Sequence, residues 1–137
     1  MDYHKEVGLT KDSGWQMGVR KTMDKEFDKV WDFMFSDEGL KIWLGNVKTS
    51  QLKLGKEINF DNGVFGKIVV FKAFSHIRMK WKKSDWKNTS RLQLRIMRSK
   101  QKTVISFAQE MMLNKAQREE MIFHWKKVMT ELSKALT

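Results

Sequence analysis

Three kinds of side chain in this sequence could do chemistry: a histidine, a lysine and a long series of basic residues. His124 lies three residues after Met121 and four before Val128, so all three share the apolar face of a predicted helix. An imidazole there could hydrogen-bond a ligand or act as an acid or base near neutral pH. More often a histidine in such a position forms a hydrogen bond with a neighbouring residue and has a structural role. No serine or aspartate at a meaningful spacing completes a catalytic triad.

Lys67 could meet a ligand carboxylate, depending on the register of a predicted hairpin. The dipeptide Asn62-Gly63 predicts a two-residue type I′ turn, which requires positive φ at both positions. Such a turn sets Phe60 opposite Phe65 and turns Lys67 toward the same face. A bulge at Gly66 would turn Lys67 outward instead. We expect the bulge, because an unpaired buried ammonium group is costly.

Basic side chains dominate the middle of the chain, within a net charge of +11. Alternation places Arg78, Lys80 and Lys82 on the outer face of one predicted strand, and Arg91 and Arg95 on that of the next. This face would attract an acidic protein or another polyanion. The aromatic residues do not interleave with these charges, so base stacking has no platform and nucleic acid is not an expected partner. A solvated face that discourages sheet aggregation is the simpler interpretation.

Composition and spacing exclude several classes of function. The sequence has no cysteine, which rules out disulfides, Cys-ligated zinc and thiol catalysis. Its three histidines lie far apart and Glu110 and Glu120 are isolated acids, so no catalytic residue, metal site or cofactor is predicted. The longest apolar runs fall far short of the ~20 residues that cross a bilayer, and the first residues lack a secretion signal. A cytoplasmic protein is expected.

Hydrophobic periodicity predicts the elements that must position these residues. Residues 1–13 are polar and form an extension, and residues 15–23 alternate as a strand. Two short helices follow, with predicted N-caps at Asp24 and Ser36. Five more strands are expected, at about 56–61, 64–71, 76–82, 91–96 and 103–110. Asn114 then caps a helix of about 22 residues, which is roughly 33 Å long at the usual rise per residue.

Four segments of the chain carry a family resemblance. They are VWDFMFSDEGLKIWLG (30–45), NGVFGKIVVF (62–71), IRMKW (77–81) and QREEMIFHWKKVMTEL (117–132). In this order they resemble the START-like (SRPBCC) superfamily, and within it the homologues of the heat-shock chaperone ATPase activator. The chain departs from the family at Asp37, where such sequences often carry proline. The resemblance covers about residues 15–137.

The resemblance implies an α+β helix-grip fold for a domain at residues 14–137. Its six-stranded curved antiparallel sheet would wrap around the long C-terminal helix, with two short helices after the first strand. Members of the superfamily bind lipids, hormones, polyketides or other apolar ligands in a cavity between sheet and helix. The residues expected to line that cavity here are Trp43 near the entrance, Phe60, Met79, Trp81, Leu92, Leu94, Phe107, Met121, His124, Trp125 and Val128. The same side chains could instead fill the core.

The predicted function is therefore that of a non-enzymatic domain. It would bind a small apolar ligand in this cavity, or associate with a chaperone as the activator homologues do. Two alternatives from other classes stay open. One is a cyclase or hydrolase that uses His124 as acid or base, and the other is a polyanion-binding module that uses the basic outer face of the sheet.

Overall fold

One antiparallel sheet and one long helix make up most of the structure, a computed structural model that describes residues 8–10 and 14–137. The sheet order is β1-β2-β7-β6-β5-β4-β3. The elements along the described chain are β1 (Leu9–Thr10), β2 (Gly14–Met23), α1 (Phe27–Met34), α2 (Asp37–Trp43), a short 3-10 helix (Thr49–Gln51), β3 (Glu57–Phe60), β4 (Val64–Lys72), β5 (His76–Lys83), β6 (Ser90–Ser99), β7 (Lys102–Met112) and α3 (Lys115–Leu136). The predicted α+β helix-grip fold is confirmed.

The strand number differs from the prediction, because the described residues form seven strands instead of six. The additional strand, β1, lies inside the predicted extension and pairs with the start of β2, with Leu9 opposite Trp15. Two residues are too few to give a periodic signal, which is why the sequence did not indicate this strand. The rest of the predicted extension lies outside the described residues.

The sheet has an inner face, which packs against α3, and an outer face. The helix α3 lies against β2, β7 and α2. It buries Met121, Trp125 and Leu132 completely, as the spacing of these residues predicted. Each fully buried large apolar side chain stabilises the fold by about 1.5–3 kcal/mol. The inner face and α3 therefore form the centre of the core.

Side-chain caps fix the beginnings of two of the three α-helices. The Gly39 N–H donates to Ser36 Oγ at 3.1 Å at the start of α2. The Gln117 N–H donates to Asn114 Oδ1 at 2.8 Å at the start of α3. Both predicted caps are confirmed. The Asp24 cap is wrong: α1 begins after Glu26, with no side-chain cap.

The hairpin between β3 and β4 has a three-residue loop, Asp61–Gly63, and not the predicted two-residue turn. Phe60 pairs with Val64, and the Gly63 N–H donates to the Phe60 carbonyl at 3.1 Å. Gly63 has φ +80°, as the left-handed position of such loops requires. Asn62 was predicted inside the turn, but its side-chain amide donates to the Leu44 carbonyl at 3.1 Å. This tertiary hydrogen bond favours the longer loop.

The longer loop shifts the register of β3 on β4 by one residue. Lys67 pairs with Glu57 instead of Ile58 and faces outward. The outward direction agrees with our expectation, but its cause is the loop and not a bulge at Gly66. The register shift within β4 lies further along, between Ile68 and Val70.

Candidate functional site

The residues predicted to line a cavity meet in the middle of the molecule. Ten of the eleven are buried, and only His124 is half-buried. The rings of Phe107 and Trp125 stack with their centroids 4.3 Å apart, and Trp43 lies 6.0 Å from Phe107. These distances are direct ring contacts, so the aromatic side chains fill the space in which they meet. Their role in ligand binding stays a prediction.

A second group of rings lies at the surface, beside the end of β4. This aromatic mouth consists of Trp31, Phe35, Phe71 and Phe74. The Trp31 centroid lies 4.6 Å from that of Phe35 and 5.3 Å from that of Phe74, and Phe35 lies 5.7 Å from Phe71. Phe71 is 49% exposed and Phe74 58% exposed. Trp31 of α1 also lies 6.2 Å from Phe71 at the end of β4, so α1 packs against this end of the strand.

The aromatic mouth is continuous with the buried rings. Phe35 lies 6.1 Å from Trp43, which in turn contacts Phe107 and, through it, Trp125. The Trp43 indole N–H donates to the Met34 carbonyl at 2.7 Å, which fixes this ring between surface and interior. A series of touching rings therefore runs from solvent to the centre of the core.

A buried chain of hydrogen bonds crosses the inner face, and sequence reasoning missed it. The Trp125 indole N–H donates to Gln109 Oε1 at 2.8 Å. The Gln109 amide donates to Ser90 Oγ at 2.9 Å, and the Ser90 hydroxyl donates to the Trp81 carbonyl at 2.6 Å. Gln109 follows Ile105 and Phe107 at period two, and this alternation could have placed it inward. Among the described residues, every buried side-chain nitrogen or oxygen has a hydrogen-bond partner.

His124 lies beside two tryptophans at the far end of the ring series. Its ring meets that of Trp125 edge-on at 4.6 Å and lies 6.3 Å from Trp81. Burial lowers the pKa of His124, Lys83 lowers it further, and Glu120 opposes this shift. No described side chain hydrogen-bonds the imidazole. The ring is therefore neutral near pH 7, without a described group that would orient it as an acid or base.

The outer face carries the predicted basic side chains and two open clefts. A cleft of about 720 Å³ is lined by β3, β4 and β5 residues that include Lys67 and Lys82. Another cleft, of about 550 Å³, is lined by residues that include Arg78 and Arg91. Lys80 lines both clefts. The two clefts therefore meet on the outer face, away from α3.

One aromatic residue does lie among these charges, so the expectation of an outer face without aromatic residues is wrong. Phe65 pairs with Asn59 on one side and with Lys82 on the other, and it is 40% exposed. A two-residue turn would have turned Phe65 to the same face as Phe60, into the core. The three-residue loop puts it on the outer face.

Neither a cluster of metal-binding side chains nor a membrane-spanning helix is found in the part of the chain that the structure describes. Across residues 8–10 and 14–137, no three His, Asp or Glu side chains are grouped as a metal ion would require. None of the described helices is both long enough and apolar enough to cross a bilayer.

The fold and the packing of α3 define a helix-grip domain of the START-like type. Solved structures show the same fold at low sequence identity. CalU16 from Micromonospora echinospora has a TM-score of 0.79 at 17% identity, covering 93% of this chain and 69% of its own. DynU16, a protein of the dynemicin biosynthetic locus, has a TM-score of 0.73 at 12% identity; 88% of this chain matches, and it spans 46% of that protein.

A third solved structure and a family match refine this class. An HSP90 activator from Plasmodium falciparum has a TM-score of 0.57 at 17% identity, covering 71% of this chain and 73% of its own. The sequence model of one family matches residues 24–137. The chain belongs to that family, which is described as Activator of Hsp90 ATPase homolog 1-like protein. Among curated proteins, no match to the sequence was found.

Proposed function

We propose that this chain is a non-enzymatic binding domain that takes a small, flat apolar ligand at the aromatic mouth. The observation that carries the proposal is the continuous series of rings from the half-exposed Phe71 and Phe74 to the buried Trp125. Exposed apolar patches on a globular protein commonly mark binding sites. A flat ligand would cover the two phenylalanines and contact Trp31 beneath them.

The backbone at Phe74 supports a binding role. Phe74 has φ +62°, a conformation that is uncommon for a bulky residue and costs on the order of 1–3 kcal/mol. The strained turn directs the Phe74 ring onto Trp31 while leaving more than half of the side chain in solvent. Strain of this kind concentrates at ligand-binding positions.

The absence of an enzymatic function is part of the same proposal. His124, the residue that a cyclase or hydrolase would use, is separated from the aromatic mouth by Trp43, Phe107 and Trp125. A ligand at the mouth would therefore not reach the imidazole. A cytoplasmic location likewise stays a prediction from the sequence.

Association with a chaperone is the second candidate. Membership of the activator family and the exposed Phe71 and Phe74 favour it, because aromatic side chains are enriched at the centres of protein interfaces. The two candidates use the same surface and differ in the partner. They are separated by testing small molecules and a purified Hsp90 chaperone side by side.

The test is a thermal-shift and tryptophan-fluorescence screen of fatty acids and flat aromatic compounds, with Phe71→Ala and Phe74→Ala as variants. Loss of either ring should weaken binding by about 2- to 10-fold, as expected for one aromatic contact. Phe123→Ala is the matched control, because Phe123 is a 74% exposed phenylalanine on α3. If no compound stabilises the protein, ligand binding is contradicted. Stimulation of Hsp90 ATPase activity that Phe74→Ala abolishes would then establish the chaperone role.

A further inference from the structure

The cleft around Phe65 combines an exposed ring with three lysines and only one acidic residue, Glu57, in its lining. Lys82 lies directly across from Phe65 on β5, and Lys67 follows it by two residues on the same face of β4. All three line the cleft of about 720 Å³. Neither lysine forms an ion pair with a described residue. An aromatic face and ammonium groups thus open into the same space.

From this cleft a row of cations continues across the sheet. Lys67 pairs with Lys80, and Lys80 pairs with Arg91, so the three residues stand side by side on β4, β5 and β6. We name this row the basic track. Since neighbouring strands are about 4.8 Å apart, the basic track spans about 10 Å. Glu57 and Glu110 mark its two ends, and Glu110 lies 3.8 Å from Arg91.

His76, the first residue of β5, shows the effect of the positive charge on this face through its pKa. Burial lowers the pKa of His76 first, and Arg95, Arg78 and Lys72 each lower it further. A histidine whose cationic form is disfavoured by three neighbouring cations lies in a region that an anion would stabilise. Adjacent like charges on strands are themselves destabilising, so an anionic ligand would relieve a cost already present.

The combination of features favours one class of ligand. A nucleic-acid duplex hides its base faces, and an acidic peptide has no need of a stacking ring. A single strand offers both phosphate charge and unstacked bases, and proteins bind it with basic grooves and aromatic rings. Asn59, Ser84 and Thr89 also line the cleft and could hydrogen-bond a ribose 2′-hydroxyl, the group that distinguishes RNA from DNA.

We propose that the outer face of the sheet binds single-stranded RNA, with one base stacked on Phe65 and the phosphates held by the basic track. The ribose beside the stacked base contacts the polar residues of the cleft. This site is independent of the aromatic mouth, because the two lie on opposite faces of the sheet.

The experiment measures fluorescence anisotropy of a short labelled oligouridylate with the full chain at several salt concentrations. Phe65→Ala should weaken binding about 5- to 150-fold, the range for one base stacked on an aromatic side chain, without changing the salt dependence. Lys80→Glu should weaken binding and flatten the slope of log affinity against log salt, by about 0.7 for each phosphate that the variant no longer binds. Thermal melting confirms that each variant is folded.

Two control variants test whether the net charge alone explains binding. Phe123→Ala removes an exposed ring, and Lys126→Glu reverses an exposed charge, both on α3. Each should retain close to wild-type affinity. If Lys126→Glu weakens binding as much as Lys80→Glu, or if Phe65→Ala has no effect, the proposal is overturned. If polyglutamate, added at the same concentration of negative charge, displaces the RNA, the partner of this face would be an acidic protein instead.

Two further measurements test whether the ligand is RNA and whether this site is separate from the aromatic mouth. Oligothymidylate of the same length should bind more weakly, and equal affinity would overturn the assignment to RNA. Phe65→Ala and Lys80→Glu should retain the stabilisation by an apolar ligand, whereas Phe74→Ala should retain RNA binding. Loss of RNA binding in Phe74→Ala would contradict two separate sites.

Discussion

The inner and outer faces of this sheet are built from the same strands, but the inner face is buried and apolar and the outer face is exposed and charged. Along β5, Met79 and Trp81 are about 1% exposed on the inner face, while Lys80 between them points to solvent. The inner face is packed ring against ring and supports the fold. The outer face is open, charged and contains two clefts. These two clefts therefore lie on the face that does not hold the core together.

Hydrogen bonding differs between the faces in the same way. On the inner face Trp125, Gln109 and Ser90 are linked in a buried chain, where losing one partner leaves another unsatisfied. On the outer face the Arg78 guanidinium donates to Gln93 Oε1 at 2.6 Å, in an exposed position. Exposed polar pairs contribute little because water replaces either partner. Inner polar residues should therefore be sensitive to substitution and outer ones tolerant.

The largest effect is expected from Trp125→Ala. It removes a fully buried ring and deprives Gln109 of its donor, so the free energy of unfolding should fall by about 3–5 kcal/mol. Urea denaturation followed by circular dichroism measures this. The comparison variant Lys80→Ala on the outer face should change the free energy by less than about 0.5 kcal/mol. Similar losses in both variants would break the distinction between the faces.

A smaller loss is expected from Gln109→Leu, which keeps the volume but ends the buried chain. The Trp125 N–H and the Ser90 hydroxyl lose a partner, and an unsatisfied buried group costs about 1–3 kcal/mol. When Gln109→Leu is made in the Trp125→Phe variant, which lacks the indole N–H, the loss of unfolding free energy should be smaller. A double-mutant cycle in urea measures this coupling. If the free-energy changes of the two substitutions simply add, the buried hydrogen bonds do not act as one unit.

The smallest effect concerns the two histidines that the structure describes, His76 and His124. Burial lowers the pKa of both below 6.5, so the unfolded chain binds more protons between the folded value and 6.5. The stability from these rings is complete above pH 6.5 and falls as the pH drops through that window. His124→Gln should reduce the slope of the unfolding free energy against pH, measured by chemical denaturation at successive pH values.

Added salt should raise the pKa of His76, measured by NMR, because it screens the outer cations. A salt-independent His76 pKa would contradict a positive outer face.

The sequence predicted those parts of the fold that depend on local pattern. Period two located the strands from Trp15 onward, and Ser36 and Asn114 were recognised because a cap needs only one side chain in the right place. The Asp24 cap was wrong because a polar residue before a helix is common, and the backbone begins the helical turn two residues later. Local patterns therefore located the elements better than their exact ends.

The site could not be derived in the same way, since it depends on contacts between distant residues. The hydrogen bond from Asn62 to Leu44 stabilises the three-residue loop, and this loop turns Phe65 outward. No local pattern contains that contact. Gln109 and Ser90 resemble ordinary polar strand residues until β6, β7 and α3 are brought together. Phe65, on which the proposed RNA site depends, was assigned to the wrong face because its register was inferred from two residues alone.

The length of the Asp61–Gly63 loop has a consequence for related sequences. β4 is held in place by β5 along most of its length, whereas β3 is a short edge strand with one main partner. If one residue were deleted from the loop, a two-residue turn would still join Phe60 to Val64, so Phe60 would stay on the inner face and Asn59 on the outer face. A homologue with a shorter loop between these two positions should therefore keep the same alternation of apolar and polar residues in its edge strand, and the gap belongs within positions 61–63. Insertions and deletions at this point of an alignment can be placed by that rule.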